Sequence, residues 1–172
     1  MEPAAAINLI KGALLPTPTP QSWADLGCGS GTFTAALADL LPEDSHILAV
    51  DKSKQHLKSV MGNHVAIGFR VADFETADLH CANLHGILMA NSLHYVKEKK
   101  ALIRRLAHYL SPGGIFLIVE YDTLKANPWV PYPIDLLGLK ALFTEMGYTT
   151  IQKLAEQRSL FGQGNLYAAK IG

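Results

Sequence analysis

The stretch Trp23-Ala24-Asp25-Leu26-Gly27-Cys28-Gly29-Ser30-Gly31-Thr32 decides the fold. A short apolar run over 22–26 reads as a buried strand, three alternating glycines follow it, and a helical stretch begins at Thr32. Strand, glycine turn and helix in that order open a nucleotide-type site. The glycines permit a tight turn and let backbone approach a ligand with no Cβ in the way. Their spacing, Gly-x-Gly-x-Gly, lacks the last interval of the dinucleotide fingerprint Gly-x-Gly-x-x-Gly. Asp25 stands two residues before the first glycine. A carboxylate there repels a pyrophosphate and attracts an ammonium group. The charge therefore favours a cationic ligand over NAD.

Working outward, strands alternate with helices. A run over 46–50 ends at Asp51 and leads into a predicted helix near 53–61. Val65, Ile67, Phe69 and Val71 alternate with period two, a strand signal that ends at Ala72-Asp73. Residues 86–90 form a buried strand, and Leu102, Ile103, Leu106, Tyr109 and Leu110 share one face of a helix over 97–110. Ser111-Pro112-Gly113-Gly114 breaks that helix before a fifth strand over 115–120. A last helix over 134–146 offers Leu136, Leu137, Leu142, Phe143 and Met146 as core contacts, and two strands near 148–154 and 165–171 close the chain. Alternation implies a parallel, doubly wound sheet with helices on both faces. The last two strands have no helix between them and are expected to pair antiparallel.

On the amino-terminal side, Ile7, Ile10, Leu14 and Leu15 recur at helical spacing over 4–14. Pro16-Thr17-Pro18-Thr19-Pro20 then imposes an extended linker. The expected organisation is one domain over 1–172, with a short helix and proline-rich linker in 1–20 and a core in 21–172. Fifteen basic side chains balance fifteen acidic ones. That balance offers no long-range attraction to nucleic acid. Cys28 and Cys81 have neither metal-ligand nor disulfide spacing, so no metal is expected. With no leader and no run of membrane length, a cytoplasmic location follows as the expectation.

The motif Asp25-Leu26-Gly27-Cys28-Gly29-Ser30-Gly31, with Val50-Asp51, Ala72-Asp73-Phe74 and Leu110-Ser111-Pro112-Gly113-Gly114, resembles the class I S-adenosylmethionine-dependent methyltransferases in motif order over residues 20 to 172. The resemblance implies a Rossmann-like α/β sheet of seven strands in the order 3-2-1-4-5-7-6, with strand seven antiparallel, and S-adenosylmethionine as cofactor. By the same resemblance the loop of Gly27, Cys28, Gly29 and Gly31 cradles the methionine moiety with Asp25. Asp51 and Lys52 then serve the ribose, Asp73 and Phe74 the adenine, and Asn91 completes the cofactor side.

The acceptor is expected over the carboxyl end of the fourth strand, at Asn91-Ser92-Leu93-His94. That sequence is unlike the Asn-Pro-Pro-Tyr type that methylates nucleobase or glutamine amides, and looks like the small-molecule, quinone-type branch. His94 is the candidate catalytic base, because histidine titrates near neutrality. Tyr121, Asn127, Trp129 and Tyr132, with His94, are expected to line a small-molecule acceptor pocket or its lid, since loops at this edge carry binding residues. With few residues ahead of the first strand, that loop or the partner subunit of a homodimer is the expected cover, or else the site stands open to a larger acceptor. Lys97, Lys99, Lys100, Arg104 and Arg105 read as a solvated helix face. Two other readings stand beside the enzyme: a non-catalytic S-adenosylmethionine-binding regulatory or scaffold module, and a nicotinamide-dependent oxidoreductase, which Asp25 disfavours.

Overall fold

The computed structural model describes residues 1–158 and 164–172. Its elements are α1 (Pro3–Ile10), β1 (Ser22–Leu26), α2 (Thr32–Leu40), β2 (His46–Asp51), β3 (Val60–Met61), β4 (Val65–Val71) and β5 (Leu84–Ala90). α3 (Lys99–Ala107), β6 (Leu110–Tyr121), α4 (Leu136–Glu145), β7 (Ile151–Arg158) and β8 (Asn165–Ile171) follow. One sheet takes the order β3-β4-β2-β1-β5-β6-β8-β7. The four central pairings, β4 with β2, β2 with β1, β1 with β5 and β5 with β6, are parallel. β8 runs antiparallel to both β6 and β7. The expected seven-strand order is therefore present, with one further strand, β3, added antiparallel at the β4 edge.

The two sheet faces bury separate cores. Trp23, Leu37, Ile47, Leu117 and Ala168 pack on the face that carries α1 and α2. Leu26, Ile87, Ile103, Phe116 and Phe143 pack on the face that carries α3 and α4. The period-two alternation of β6 divides its side chains between them: Leu117 and Val119 go one way, Phe116 and Ile118 the other. Glu120 and Tyr121 continue that alternation at the strand end, where the site forms.

The helix expected near 53–61 does not form. Residues 52–59 are a loop that returns as β3. Within 53–61 only Leu57, Val60 and Met61 are apolar, and Val60 and Met61 pair with Ala66 and Val65 as an edge strand instead of continuing a helical stripe. The following turn is instead pinned to the end of α2. Asn63 Nδ2 donates to the carbonyls of Asp39 and Leu41 at 2.9 and 3.0 Å, satisfying acceptors that the helix end leaves open. Gly62 allows this approach: at φ 51° it lies where a Cβ would come within 2.3 Å of the Ala38 backbone.

Other expectations shift by smaller amounts. Ser111-Pro112-Gly113-Gly114 is an irregularity inside β6, where Leu84 faces Leu110 and Gly86 already faces Ile115. The seventh strand begins at Ile151 rather than Tyr148. Leu15 and Leu137 are exposed, while Leu139 and Phe143 are the buried contacts of α4. The basic face of α3 is not simply solvated. Arg105 donates to the carbonyls of Phe74 and Ala77, Lys99 to those of Val96 and Tyr132, and Lys100 pairs with Glu145.

Candidate active site

β1 lies between β2 and β5, so the crossovers leave it in opposite directions and a crevice opens at the carboxyl ends. The cleft there measures about 480 Å³ and opens to solvent; it is lined by Gly27, Asp51, Lys52, Asp73, Phe74, Glu75, Asn91, Ser92 and Tyr95. Six of these nine were expected from the sequence. Glu75, Ser92 and Tyr95 were not, although Ser92 and Tyr95 flank His94 and could have been read from that proximity.

The glycine loop is fixed from two sides. Gly27 and Cys28 donate their amides to the Val50 carbonyl at 2.8 and 3.0 Å, and Gly29 donates to Asp51 Oδ2 at 2.9 Å. Gly27 sits at φ 77°, and a Cβ there would come within 2.5 Å of Ser92 Cβ, so the loop can meet the end of β5 only as glycine. Ser92 Oγ completes the junction by donating to the Leu26 carbonyl at 2.6 Å. Asp51 also accepts from Ser53 N at 2.8 Å, so two backbone amides hold its carboxylate at the cleft wall. Asp73 accepts from Glu75 N at 2.9 Å and closes a tight turn that presents Phe74 beside Gly27.

Beneath the loop, Asp25 is 1 % exposed. Its Oδ2 accepts from Thr34 Oγ1 at 2.6 Å, and its Oδ1 has no partner. Burial pushes its carboxyl up to about 7; the Thr34 hydroxyl lowers it and the neighbouring Asp51 raises it further. Cys28 is buried beside both carboxylates, and its thiol is pushed up to about 12, chiefly by burial. It stays protonated and acts as a small filler. Asn91, with φ 54°, holds the opposite wall, and its buried Oδ1 is also without a partner.

These two orphaned acceptors are the test of fit for S-adenosylmethionine. A buried acceptor left unpaired costs about 1–3 kcal/mol, and a ligand that donates to it recovers that cost. A carboxylate, an amide oxygen, a loop cleared of Cβ atoms and an aromatic edge suit a cationic amino-acid nucleoside.

The expected acceptor side is built on β6 and the short turn Leu93–Tyr95. His94 and Glu120 are 2 % and 1 % exposed. Glu120 Oε1 accepts from the His94 amide at 3.1 Å, and Oε2 stands 2.6 Å from His94 Nδ1. A proton on Nδ1 shared with the carboxylate leaves Nε2 as the basic nitrogen. Glu120 was missed in the sequence because it lies twenty-six residues from His94 and ends an otherwise apolar strand. The sequence-level signal was the same as for Asp51: an acid closing a buried strand.

Tyr121 is half-buried with its ring centroid 6.2 Å from that of His94, and burial with the nearby Glu120 keeps its phenol protonated. Tyr132 donates its amide to the His94 carbonyl at 2.9 Å, while Lys99 Nζ stands 5.8 Å from its ring centre. Asn127 Oδ1 accepts from Trp129 N and Val130 N, so its carbonyl serves the loop's own turn. Trp129 is 70 % exposed. The structure thus brings Tyr121 and Tyr132 beside His94, and leaves Trp129 largely exposed on the same loop. No helix among the described residues is long and apolar enough to cross a membrane.

A family profile described as "Methyltransferase domain" matches residues 24–114, more than half of the chain and all of the cofactor cleft. A trans-aconitate 2-methyltransferase of Pseudomonas paraeruginosa is 29% identical over 154 residues, covering 87% of this chain and 54% of the relative. The chain thus spans about half the length of the curated relatives it matches, or somewhat less. Among solved structures, an S-adenosylmethionine-dependent methyltransferase of Leishmania major superposes with a TM-score of 0.73 at 18% identity, over 96% of this chain and 72% of its own. The 1,6-didemethyltoxoflavin-N1-methyltransferase of Burkholderia thailandensis, with bound 1,6-didemethyltoxoflavin and S-adenosylhomocysteine, reaches 0.66 at 20% identity, over 88% and 70%. By strand order, cleft and matched profile, the chain belongs to the class I S-adenosylmethionine-dependent methyltransferases.

Proposed function

We propose that this chain transfers a methyl group from S-adenosylmethionine to a small molecule that must lose a proton on methylation. The buried His94–Glu120 pair, with His94 next in the chain to the cleft-lining Tyr95, carries this reading. S-adenosylmethionine supplies an electrophilic methyl on sulfur when bound. Asp25, the Gly27–Gly31 loop, Asp51, Lys52, Asp73, Phe74 and Asn91 hold it. Glu120 fixes the His94 tautomer so that Nε2 takes the acceptor's proton, a contribution of about 10²–10⁴-fold for a positioned base. Tyr121, Asn127, Trp129 and Tyr132 belong to the acceptor side, and exclusion of water by their loop supports a displacement that depends on positioning. The balanced charge supports a small acceptor rather than nucleic acid, and two cysteines without disulfide spacing support a cytoplasmic setting.

A carboxylate acceptor is the second reading, favoured by the trans-aconitate relative. A carboxylate is already nucleophilic and needs no base. A mass-spectrometric screen for a gain of one methyl, run on the native protein, His94→Ala and Glu120→Gln, tests both. Loss of turnover by about 10²-fold or more in His94→Ala, with cofactor binding intact, is expected. Undiminished turnover on a carboxylic acid would move the assignment to the second reading. Trp129→Ala is expected to raise the acceptor KM with kcat and stability little changed, and an unchanged KM would remove Trp129 from the acceptor side.

A further inference from the structure

Asp25 is a buried acid in a place that holds no cation. The elements around it bring two titratable groups, Asp51 at the end of β2 and the protonated Cys28 thiol in the loop. α2 brings only the Thr34 hydroxyl, and β5 pairs Asp25 with apolar Leu88. None of the described ion pairs includes it, and no cation among the described residues offsets its burial. A buried carboxylate with one hydrogen bond, one orphaned oxygen and a second carboxylate nearby is costly to ionise.

We propose that Asp25 carries a proton in the free protein and releases it when the ammonium of the cofactor's amino-acid end arrives, so that cofactor binding is coupled to deprotonation of the acid beneath the glycine loop. The proposal rests on the cofactor reading above. In the exchange the carboxyl O–H bond breaks, its electron pair stays on the oxygen, the proton leaves to solvent, and the carboxylate then faces the ligand's positive charge. The proton stands in for the missing cation until that cation comes with the ligand. A carboxyl held near 7 is poised for this exchange at neutral pH, whereas an ordinary aspartate would already be ionised. Asp51, Asp73 and Glu75 line the cleft above the buried Asp25 and must be separated from it in any test.

Isothermal titration of the full chain with S-adenosylhomocysteine, in pairs of buffers of unequal protonation enthalpy, reads the proton count directly. Release of nearly one proton is expected at pH 5.5. Affinity should rise about tenfold between pH 5 and pH 6 and level off above 7. 5′-Methylthioadenosine keeps the nucleoside and thioether but lacks the amino-acid end. It should bind without that release, and its titration subtracts any contribution of Asp51, Asp73 and Glu75. Asp25→Asn should bind S-adenosylhomocysteine more weakly, with no buffer-dependent heat. Zero release by the native chain, equal release with both compounds, or release that persists in Asp25→Asn would each overturn the coupling. Failure of both compounds to bind at every pH would overturn the cofactor reading itself. Should Asp25→Asn not fold, the comparison of the two compounds on the native chain decides alone.

Discussion

Asp25 and Glu120 are equally buried, at 1 % exposure, and each stands near the carboxyl end of a central strand, yet their surroundings are opposite. Glu120 has both oxygens engaged by His94, one through the backbone amide and one through the ring. Asp25 has one oxygen on Thr34 and the other on nothing. A buried acid is tolerated when the protein supplies its partner. Where the protein does not, the acid is held protonated until a partner comes from outside. The His94 side is thus internally completed, and under the proposed coupling the Asp25 side is completed by its ligand.

The strongest challenge to this contrast is removal of the internal partner. Glu120→Leu leaves the His94 ring and amide buried with no acceptor, and should cost about 3–5 kcal/mol by chemical denaturation. Replacing both members, Glu120→Leu with His94→Leu, should recover most of that loss, because an apolar pair of similar volume needs no partner. A single-variant cost below about 1 kcal/mol would mean that the pair is not closed as the geometry indicates.

Asp25 answers next, through pH. Its folded carboxyl is raised above the unfolded value of 3.8, so the protonated form is favoured by folding. The resulting stability is complete below the unfolded value, declines as pH climbs from there, and is lost once pH passes about 7. Between pH 5 and pH 8 the free protein should lose roughly 2–3 kcal/mol from this group. Asp25→Asn should flatten that slope in denaturant titrations, and an unchanged slope would place the titrating group elsewhere.

The same contrast explains what the sequence could show. Asp25, Gly27, Asp51 and Asp73 were legible because each sits at the end of a strand beside its own turn, so local order alone places it. Glu120 closes a strand as well, but its partner does not show in the local order, since only the β5–β6 pairing brings the end of β6 to the turn that holds His94. The helix misread near 53–61 failed for a related reason. Alternation predicts a crossover helix between parallel strands, but Val60 and Met61 pair with Ala66 and Val65 as an edge strand, and the turn after them is fastened by Asn63 to the end of α2. Arg105 looked like a solvated charge from its neighbours in sequence, and only the packing of α3 showed it fastened to the Phe74 turn.

Asp51 lies between the two extremes, a carboxylate held by the amides of Gly29 and Ser53. Both amides fix its position, and each oxygen retains capacity for one more hydrogen bond. Asp51→Ala should weaken S-adenosylhomocysteine binding by about 1–3 kcal/mol, the cost of leaving ribose hydroxyls unpaired, when read by titration calorimetry. An unchanged dissociation constant would make Asp51 a brace for the loop and nothing more.

The smallest effect is the most discriminating for Asp25. Thr34 gives Asp25 its one hydrogen bond and is the single influence that lowers its carboxyl. Thr34→Val removes that donor while keeping the branched shape, and should cost the ionised form about 1 kcal/mol. Ionisation of Asp25 would then require a higher pH, so the level region of cofactor affinity should begin later by somewhat under one pH unit. The affinity reached at high pH should change little, because the ammonium contact is made by the other oxygen. A loss of affinity that is equal at pH 5.5 and pH 8 would instead show that Thr34 shapes the loop and does not tune the acid beneath it.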